Sequence, residues 1–286
     1  MNIAIIGSGG REHSICYKLS KSKKINKIYC IPGNAGTKNL ATNINLDISN
    51  FKEIYANIKG KEIDLIIVGP EVPLVNGVVD YFQKKKIKIF GPSKNASKLE
   101  GSKIFMKTFC KKFNIPAGTF KEIKSLKYAK KYVKNIKLPI VVKSDGLAAG
   151  KGVTICNSRE EAIKNIRQIL SGKFNTSSKV FIEEYLEGDE LSYFIITDGK
   201  DFKCFGTAQD HKRIGEGEKG LNTGGMGAYS PSQIINKSLE KKIINKIIKP
   251  TIKGMSKIGY KYSGILYAGI IVKNNEPKLI EYNIRF

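Results

Sequence analysis

Short apolar runs alternate with longer amphipathic stretches through the first hundred residues. The runs fall at 3–6, 27–31, 65–68 and 87–90, each bounded by Gly, Pro or Asn. Runs of that length, separated by helix-length segments, predict the buried strands of a parallel α/β sheet. A helix is predicted from about 102 to 113, stopped by Ile115-Pro116. A second unit follows. A Lys-rich amphipathic segment spans 121–136, and two strands, 139–143 and 153–156, then flank a flexible glycine-rich tip. Residues 159–170 carry a helical period and 179–185 read as another strand. The remainder holds a long glycine-rich loop at 215–227, a helical stretch at about 233–258 interrupted by Pro250, and final strands at 264–272 and 277–284.

With 286 residues, 26% charged and 41% hydrophobic, the chain suits about two compact units, each able to bury a core. That composition excludes disorder and collagen-like repeats. No apolar run approaches the roughly 18 residues of a membrane span. The N-terminal run Met1-Asn2-Ile3-Ala4-Ile5-Ile6-Gly7 reads as a strand without a basic leader, so a cytoplasmic setting is expected. The net charge of +25 raises the possibility of a nucleic-acid surface, yet it resolves into 45 Lys and only 5 Arg, beside 42 Ile and 21 Asn. Base and phosphate readers favour Arg for its bidentate fork. A joint excess of Lys, Ile and Asn spread along the chain fits compositional drift of surface positions better. Cysteines at 16, 30, 110, 156 and 204 form no C-x-x-C pair, which argues against a zinc ribbon or disulfide framework. Only His13 and His211 are available for histidine chemistry.

Five blocks bear on candidate chemistry. The first strand runs into Gly7-Ser8-Gly9-Gly10, but Glu12 stands where a dinucleotide fingerprint needs its third glycine, and no acid closes the second strand. A NAD site is therefore rejected; a phosphate seat and a plain tight turn both remain open. The stretch from Lys143 to Val153, Lys-Ser-Asp-Gly-Leu-Ala-Ala-Gly-Lys-Gly-Val, is not a Walker A loop, since a strand rather than a helix follows. Its small residues would let backbone amides approach a polyphosphate while Lys143 and Lys151 supply countercharge. Beside the next apolar strand, Glu183, Glu184, Glu187 and Glu190 can accept from an adenine amino group or ribose hydroxyls. Asp210-His211-Lys212-Arg213 and Asn222-Thr223-Gly224-Gly225-Met226-Gly227 suit a phosphorylated or carboxylate-bearing substrate. Finally, strand period two puts Glu281, Asn283 and Arg285 on one face. A carboxylate and an amide oxygen are hard ligands for Mg²⁺, and Arg285 could neutralise a transferring phosphoryl group.

Taken in order, Gly7 to His13, Gly69-Pro70-Glu71-Val72-Pro73-Leu74, Lys143 to Val153, Gln209 to Arg213, Asn222 to Tyr229 and Glu281 to Phe286 resemble the glycinamide ribonucleotide synthetases (phosphoribosylamine–glycine ligases), ATP-grasp enzymes of purine synthesis. The resemblance implies an N-terminal Rossmann-like (pre-ATP-grasp) α/β domain at 1–101. An ATP-grasp α+β domain would follow at 102–286, divided into 122–189 and 190–286. It implies that ATP and Mg²⁺ (or Mn²⁺) are used to join glycine to 5-phosphoribosylamine through glycyl phosphate, without nucleic acid or membrane, by a monomer. Carried over by position, Lys103 and Lys143 would contact the ATP phosphates or the adenine edge, and the loop with Gly146, Gly150, Lys151 and Gly152 would fold over the phosphates. Glu183, Glu184 and Leu186 would line the adenine slot, and Glu190 would hold the ribose. Glu281 and Asn283 would bind the metal, and Arg285, Lys212 and Arg213 would serve catalysis. Glu71, Asn222, Gly224 and Gly225 would face the substrate.

Leu221 replaces a usual Pro, and Gly269 stands where some ATP-grasp relatives carry a metal-binding acid. The resemblance also implies a further C-terminal domain after Phe286, whose absence is expected to leave apolar surface exposed and the substrate side of the cleft open. The alternatives are another ATP-grasp ligase or carboxylase and, in a different class, a Lys-rich nucleic-acid-binding protein.

Overall fold

The computed structural model describes residues 1–147, 152–172, 179–211, 213–216, 219–223 and 226–286. Strands β1 (Asn2–Gly7), β2 (Lys27–Pro32), β3 (Thr42–Asn43), β4 (Leu65–Val68) and β5 (Ile89–Phe90) form a parallel sheet in the order β3-β2-β1-β4-β5. Ile5, Ile6, Ile31 and Ile66 are fully buried, as expected for strands covered on both faces. Helices α1 (Gly10–Ser20), α2 (Phe51–Ile58), α3 (Glu71–Asn76) and α4 (Val78–Lys84) connect them. Strand order reverses beside β1, so the crevice for ligands opens at the carboxyl ends of β1 and β4. Gly7–Gly10 and Gly69-Pro70-Glu71 sit at those ends. The run 87–90 contributes only Ile89 and Phe90 to the sheet.

The short helix α5 (Lys98–Gly101) leads into α6 (Lys103–Lys112). Beyond it, β6 (Phe120–Ile123), α7 (Leu126–Lys134), β7 (Ile140–Ser144), β8 (Val153–Cys156), α8 (Arg159–Leu170) and β9 (Val180–Glu184) build a four-stranded sheet in the order β6-β9-β7-β8. All its pairings are antiparallel. Helices α7 and α8 cover one face with their own core, including Ile123, Val133, Ile140, Ile166 and Ile182. The amphipathic segment 121–136 thus divides into the end of a strand and a helix, with Ser125 capping the helix through its hydroxyl.

A second antiparallel sheet, β14-β11-β10-β15-β16, completes the chain. It comprises β10 (Asp189–Thr197), β11 (Phe202–Asp210), β14 (Ala228–Tyr229), β15 (Gly264–Lys273) and β16 (Glu276–Asn283), with a small hairpin of β12 (Arg213–Gly215) and β13 (Lys219–Asn222) beside it. The glycine-rich segment 215–227 is therefore partly strand rather than loop. Along β10, Leu191, Tyr193 and Ile195 are buried, while Phe194 and Ile196 lie on the other face. Helices α9 (Lys237–Ile243) and α10 (Lys249–Lys257) cover the buried face and join the core of the N-terminal sheet in one continuous cluster.

Pro250 does not interrupt this helical run, contrary to expectation. A widened turn at Ile244–Ile248 precedes it, Pro250 occupies the first turn of α10, and the Thr251 hydroxyl donates to the Ile247 carbonyl at 2.6 Å. The widened turn accommodates the ring and the missing N–H. Among the described residues, no helix is long and apolar enough to cross a membrane.

Gly188 carries the chain from the small sheet to the large one at φ +141°, and a β-carbon there would collide with the Val272 carbonyl oxygen. Gly188→Ala is expected to cost about 1–3 kcal/mol through backbone strain and displacement of β15, read as a lower thermal midpoint.

Candidate active site

The amino end of α6 is tied to the end of β7. Ser102 accepts the Phe105 N–H at 3.1 Å and donates to both oxygens of Asp145, each at 3.1 Å. Asp145 also accepts the Ile104 N–H at 3.1 Å, so two side chains satisfy the first turn. The Lys103 ammonium donates to the carbonyls of Ser144 (3.2 Å) and Gly146 (2.6 Å). It therefore clips the root of the glycine tip, where Gly146 takes φ +85°. Burial lowers the Lys103 pKa, opposed by the charges of Glu281 and Asp145, while Lys143 adds to the lowering. Lys103 thus feels groups from both sheets. Gly150 and Lys151 of the tip lie outside the described residues; Gly152 returns the chain through its carbonyl, which accepts from the Ser144 N–H at 2.8 Å.

On the floor of the four-stranded sheet, Glu183 is buried between two lysines. One carboxylate oxygen accepts from Lys107 of α6, and the other stands 2.6 Å from the Lys143 ammonium. Side-chain exposures are 1% for Lys107, 3% for Glu183 and 9% for Lys143. Burial lowers the Lys107 pKa against the opposing charge of Glu183. Glu184 faces outward, where Thr119 donates to it at 3.0 Å and Lys278 at 3.3 Å; these bonds, the Thr119 N–H first, lower its pKa. Leu186, Glu184, Ile271 and Lys278 line a cleft of about 680 Å³ between the two sheets. Glu190 pairs in register with Ile271 on the neighbouring strand. A larger cleft of about 960 Å³ opens between α6 and β6, and Lys107 is in its wall.

The outer face of the five-stranded sheet carries Glu281 and Asn283, with the Asn283 amide 3.5 Å from the Glu281 carboxylate. Gly269 pairs with Glu281, and a β-carbon at Gly269 would crowd the Tyr267 hydroxyl at 3.1 Å and Glu281 at 3.3 Å. Tyr267 and Glu281 thus leave little room for a side chain at position 269. Arg285 gathers the neighbourhood. Its Nε lies 2.9 Å from Glu71 and 3.6 Å from Glu100, and its guanidinium donates to Asn283 at 3.4 Å. Glu71 begins α3 beside the N-terminal sheet, so this contact joins the segment after β16 to the N-terminal domain. Glu100 also accepts the Ile284 N–H at 2.8 Å.

The two substrate-side motif blocks fold onto each other. Arg213 pairs with Asn222 and Asp210 with Ala228, and the Thr223 hydroxyl donates to the His211 carbonyl at 2.5 Å. Lys212, Gly224 and Gly225 lie outside the described residues.

The glycine turn after β1 is filled from within. Glu12, 2% exposed, accepts the Gly9 N–H at 2.5 Å, and β-carbons at Gly7 or Gly69 would collide with it. Arg11 lies 3.5 Å from the same carboxylate and donates to the Gly69 carbonyl at 3.1 Å. The phosphate seat left open on sequence grounds is thereby closed at Gly9, because a carboxylate already takes the N–H that an incoming anion would need. From sequence, Glu12 stands out only for breaking the dinucleotide fingerprint, and Glu100, Lys107 and Asp145 receive no role. The one local hint was the helical i, i+4 spacing of Lys103 and Lys107.

Burial is the largest influence on Glu100 and lifts its pKa from 4.5 to about 7, despite the Ile284 N–H and Arg285; Glu71 and Glu281 add to the rise. The folded chain then keeps a proton that the unfolded chain has released between those values. The contribution of this group is full below about pH 4.5 and is lost as pH rises through about 7. Thermal melts from pH 4 to 8 are expected to show Glu100→Gln gaining on the parent as pH rises, by up to about 3 kcal/mol.

Comparison with known proteins agrees with this geometry. The family model of the phosphoribosylglycinamide synthetase N domain matches residues 1–100, and that of its ATP-grasp (A) domain matches 101–286. The chain is 45% identical over 287 residues to phosphoribosylamine–glycine ligase of Agrobacterium fabrum, and equally to that of Mesorhizobium japonicum. Each match covers 100% of this chain and 68% of the relative. The crystal structure of phosphoribosylamine–glycine ligase from Thermotoga maritima superposes with a TM-score of 0.86 at 33% identity, over 100% of this chain and 69% of that one. The chain therefore spans about two thirds of the length of these relatives, and it belongs to the phosphoribosylglycinamide synthetase family.

Proposed function

We propose that the chain joins glycine to 5-phosphoribosylamine at the expense of ATP, with the triphosphate held between the four-stranded sheet and the outer face of the five-stranded sheet. The observation that carries this reading is the position of Lys103, fastened to the root of the glycine tip yet within the field of Glu281 and Lys143. A polyanion entering there would meet Lys103 and Lys143 from one side. Gly146 to Gly152, with Lys151, would cover it. Glu183, Glu184 and Leu186 would border the adenine, and Glu190 the ribose.

Glu281 and Asn283 offer hard oxygen donors. Among the described residues, no group of three or more acidic, His or Cys side chains forms a metal cage. That donor set fits Mg²⁺ (or Mn²⁺) arriving with phosphate and retaining water ligands. When bound, the cation would neutralise charge on the β- and γ-phosphate oxygens.

In the reaction, a glycine carboxylate oxygen attacks the γ-phosphorus and ADP leaves, giving glycyl phosphate. The amine of 5-phosphoribosylamine then attacks the acyl carbon, phosphate departs and the amine proton passes to solvent. Positioning and charge neutralisation do most of this work, so a shortage of histidine is no obstacle. Arg285, aligned by Glu71 and Glu100, would face the transferring phosphoryl group. Glu71, Lys212, Arg213, Asn222, Gly224 and Gly225 would receive the two smaller substrates.

Saturating ATP-Mg at about 100 times its Kd should stabilise the chain by about 2.7 kcal/mol, raising the thermal midpoint by about 5–10 °C for this length. Lys143→Ala should remove that shift, and ADP release should require both glycine and 5-phosphoribosylamine. An equal shift in the Lys143→Ala protein, or stabilisation by duplex DNA but not by ATP-Mg, would overturn the reading.

A further inference from the structure

Lys107 lies a helical turn beyond Lys103 on α6, has a side chain only 1% exposed, and is separated from its partner Glu183 by 76 residues of chain. Nothing in the reaction outlined above uses it. A fully buried lysine is costly unless its charge is answered, and Glu183 answers it. Glu183, however, is also the counter-ion of Lys143. Three buried ionic side chains carry two positive charges and one negative, and a surplus cation is a poor choice for simple packing.

The two contacts differ in kind. Lys107 makes a directed hydrogen bond to the Glu183 Oε1 atom. The Oε2 atom lies 2.6 Å from the Lys143 ammonium, but hydrogen-bond geometry is not met there, and Oε2 has no hydrogen-bond partner. Lys143 is thus held to Glu183 by charge rather than by a directed hydrogen bond. Gly118 helps fix this arrangement, because a β-carbon there would stand 3.0 Å from Oε1.

We propose that Lys107 is a positioning residue for nucleotide binding: by holding one oxygen of Glu183 from the side of α6, on the sheet face opposite α7 and α8, it keeps that carboxylate from closing a bidentate, neutral pair with Lys143, and so leaves the Lys143 ammonium available to an anionic phosphate. This rests on the reading that Lys143 contacts ATP. Without Lys107, Glu183 can turn both oxygens to Lys143, and the sheet face loses its surplus charge. Lys107 acts through Glu183 alone and touches no substrate.

The test is calorimetric titration of ATP-Mg into the intact chain, with thermal midpoints recorded in parallel. Lys107→Met should weaken ATP binding about tenfold or more, and Lys107→Arg should recover most of the loss. In a Glu183→Gln background, adding Lys107→Met should change the ATP affinity by less than about twofold, because the carboxylate through which it acts is gone. A merely structural lysine would lower the midpoint and leave the affinity of the folded protein unchanged. That outcome overturns the proposal, as does an undiminished effect of Lys107→Met in the Glu183→Gln background. Should Lys107→Met fail to stay folded, Lys107→Gln takes its place, and an affinity within about twofold of the parent overturns the proposal equally. Lys143→Ala separates the two levels. If it abolishes binding while Lys107→Met does not, only the positioning role fails; if it binds ATP like the parent, the site assignment itself fails.

Discussion

A buried carboxylate shared between two buried lysines sets the terms for the cleft. Glu183 on β9 receives Lys107 from α6, on the sheet face opposite α7 and α8, and Lys143 from the adjacent strand. Desolvating three charges is expensive, and one carboxylate cannot neutralise two ammonium groups. The arrangement persists because helix, strand and sheet are fastened around it by Ser102, Asp145 and Lys103. A surface built this way favours an anion, and the cost of holding the cations in place is met during folding rather than during binding.

The other side is organised by the ion pairs of one arginine, with a hydrogen bond to Asn283 beside them. Arg285 spans Glu71 of the N-terminal domain, Glu100 before α6 and Asn283 of the last strand. A side chain at the end of the chain thereby reads the position of both domains. The large sheet and the N-terminal sheet share one core, whereas the small sheet and its two helices pack around a core of their own. The cleft of about 680 Å³ lies between a sheet that shares the N-terminal core and a sheet with a core of its own.

Much of the fold was legible because strands buried on both faces announce themselves as unbroken apolar runs, as at Leu65–Val68. Strands β10 and β11 were missed for the opposite reason. They expose one face, and in β11, which includes Gly206 and Thr207, an extra residue at the register shift opposite Phe194 and Ile195 breaks the alternation. The motif blocks of the site were legible because glycines and charges cluster locally. The side chains that orient them were not. Lys107 and Glu183, Ser102 and Asp145, and Glu100 and Ile284 meet across 76, 43 and 184 residues, and nothing local foretells such pairs.

The self-filled turn after β1 has a consequence for how the molecule tells its ligands apart. Doubly wound sheets commonly receive a diphosphate at that spot. Here an anion approaching Gly9 meets the negative charge of Glu12 instead of an open amide. Two nucleotide-shaped hollows within one small protein would compete for the same pool of ATP and let fuel sit where it does no chemistry. With its own carboxylate seated against Gly9, the chain makes this turn repel a second polyphosphate instead of sheltering one.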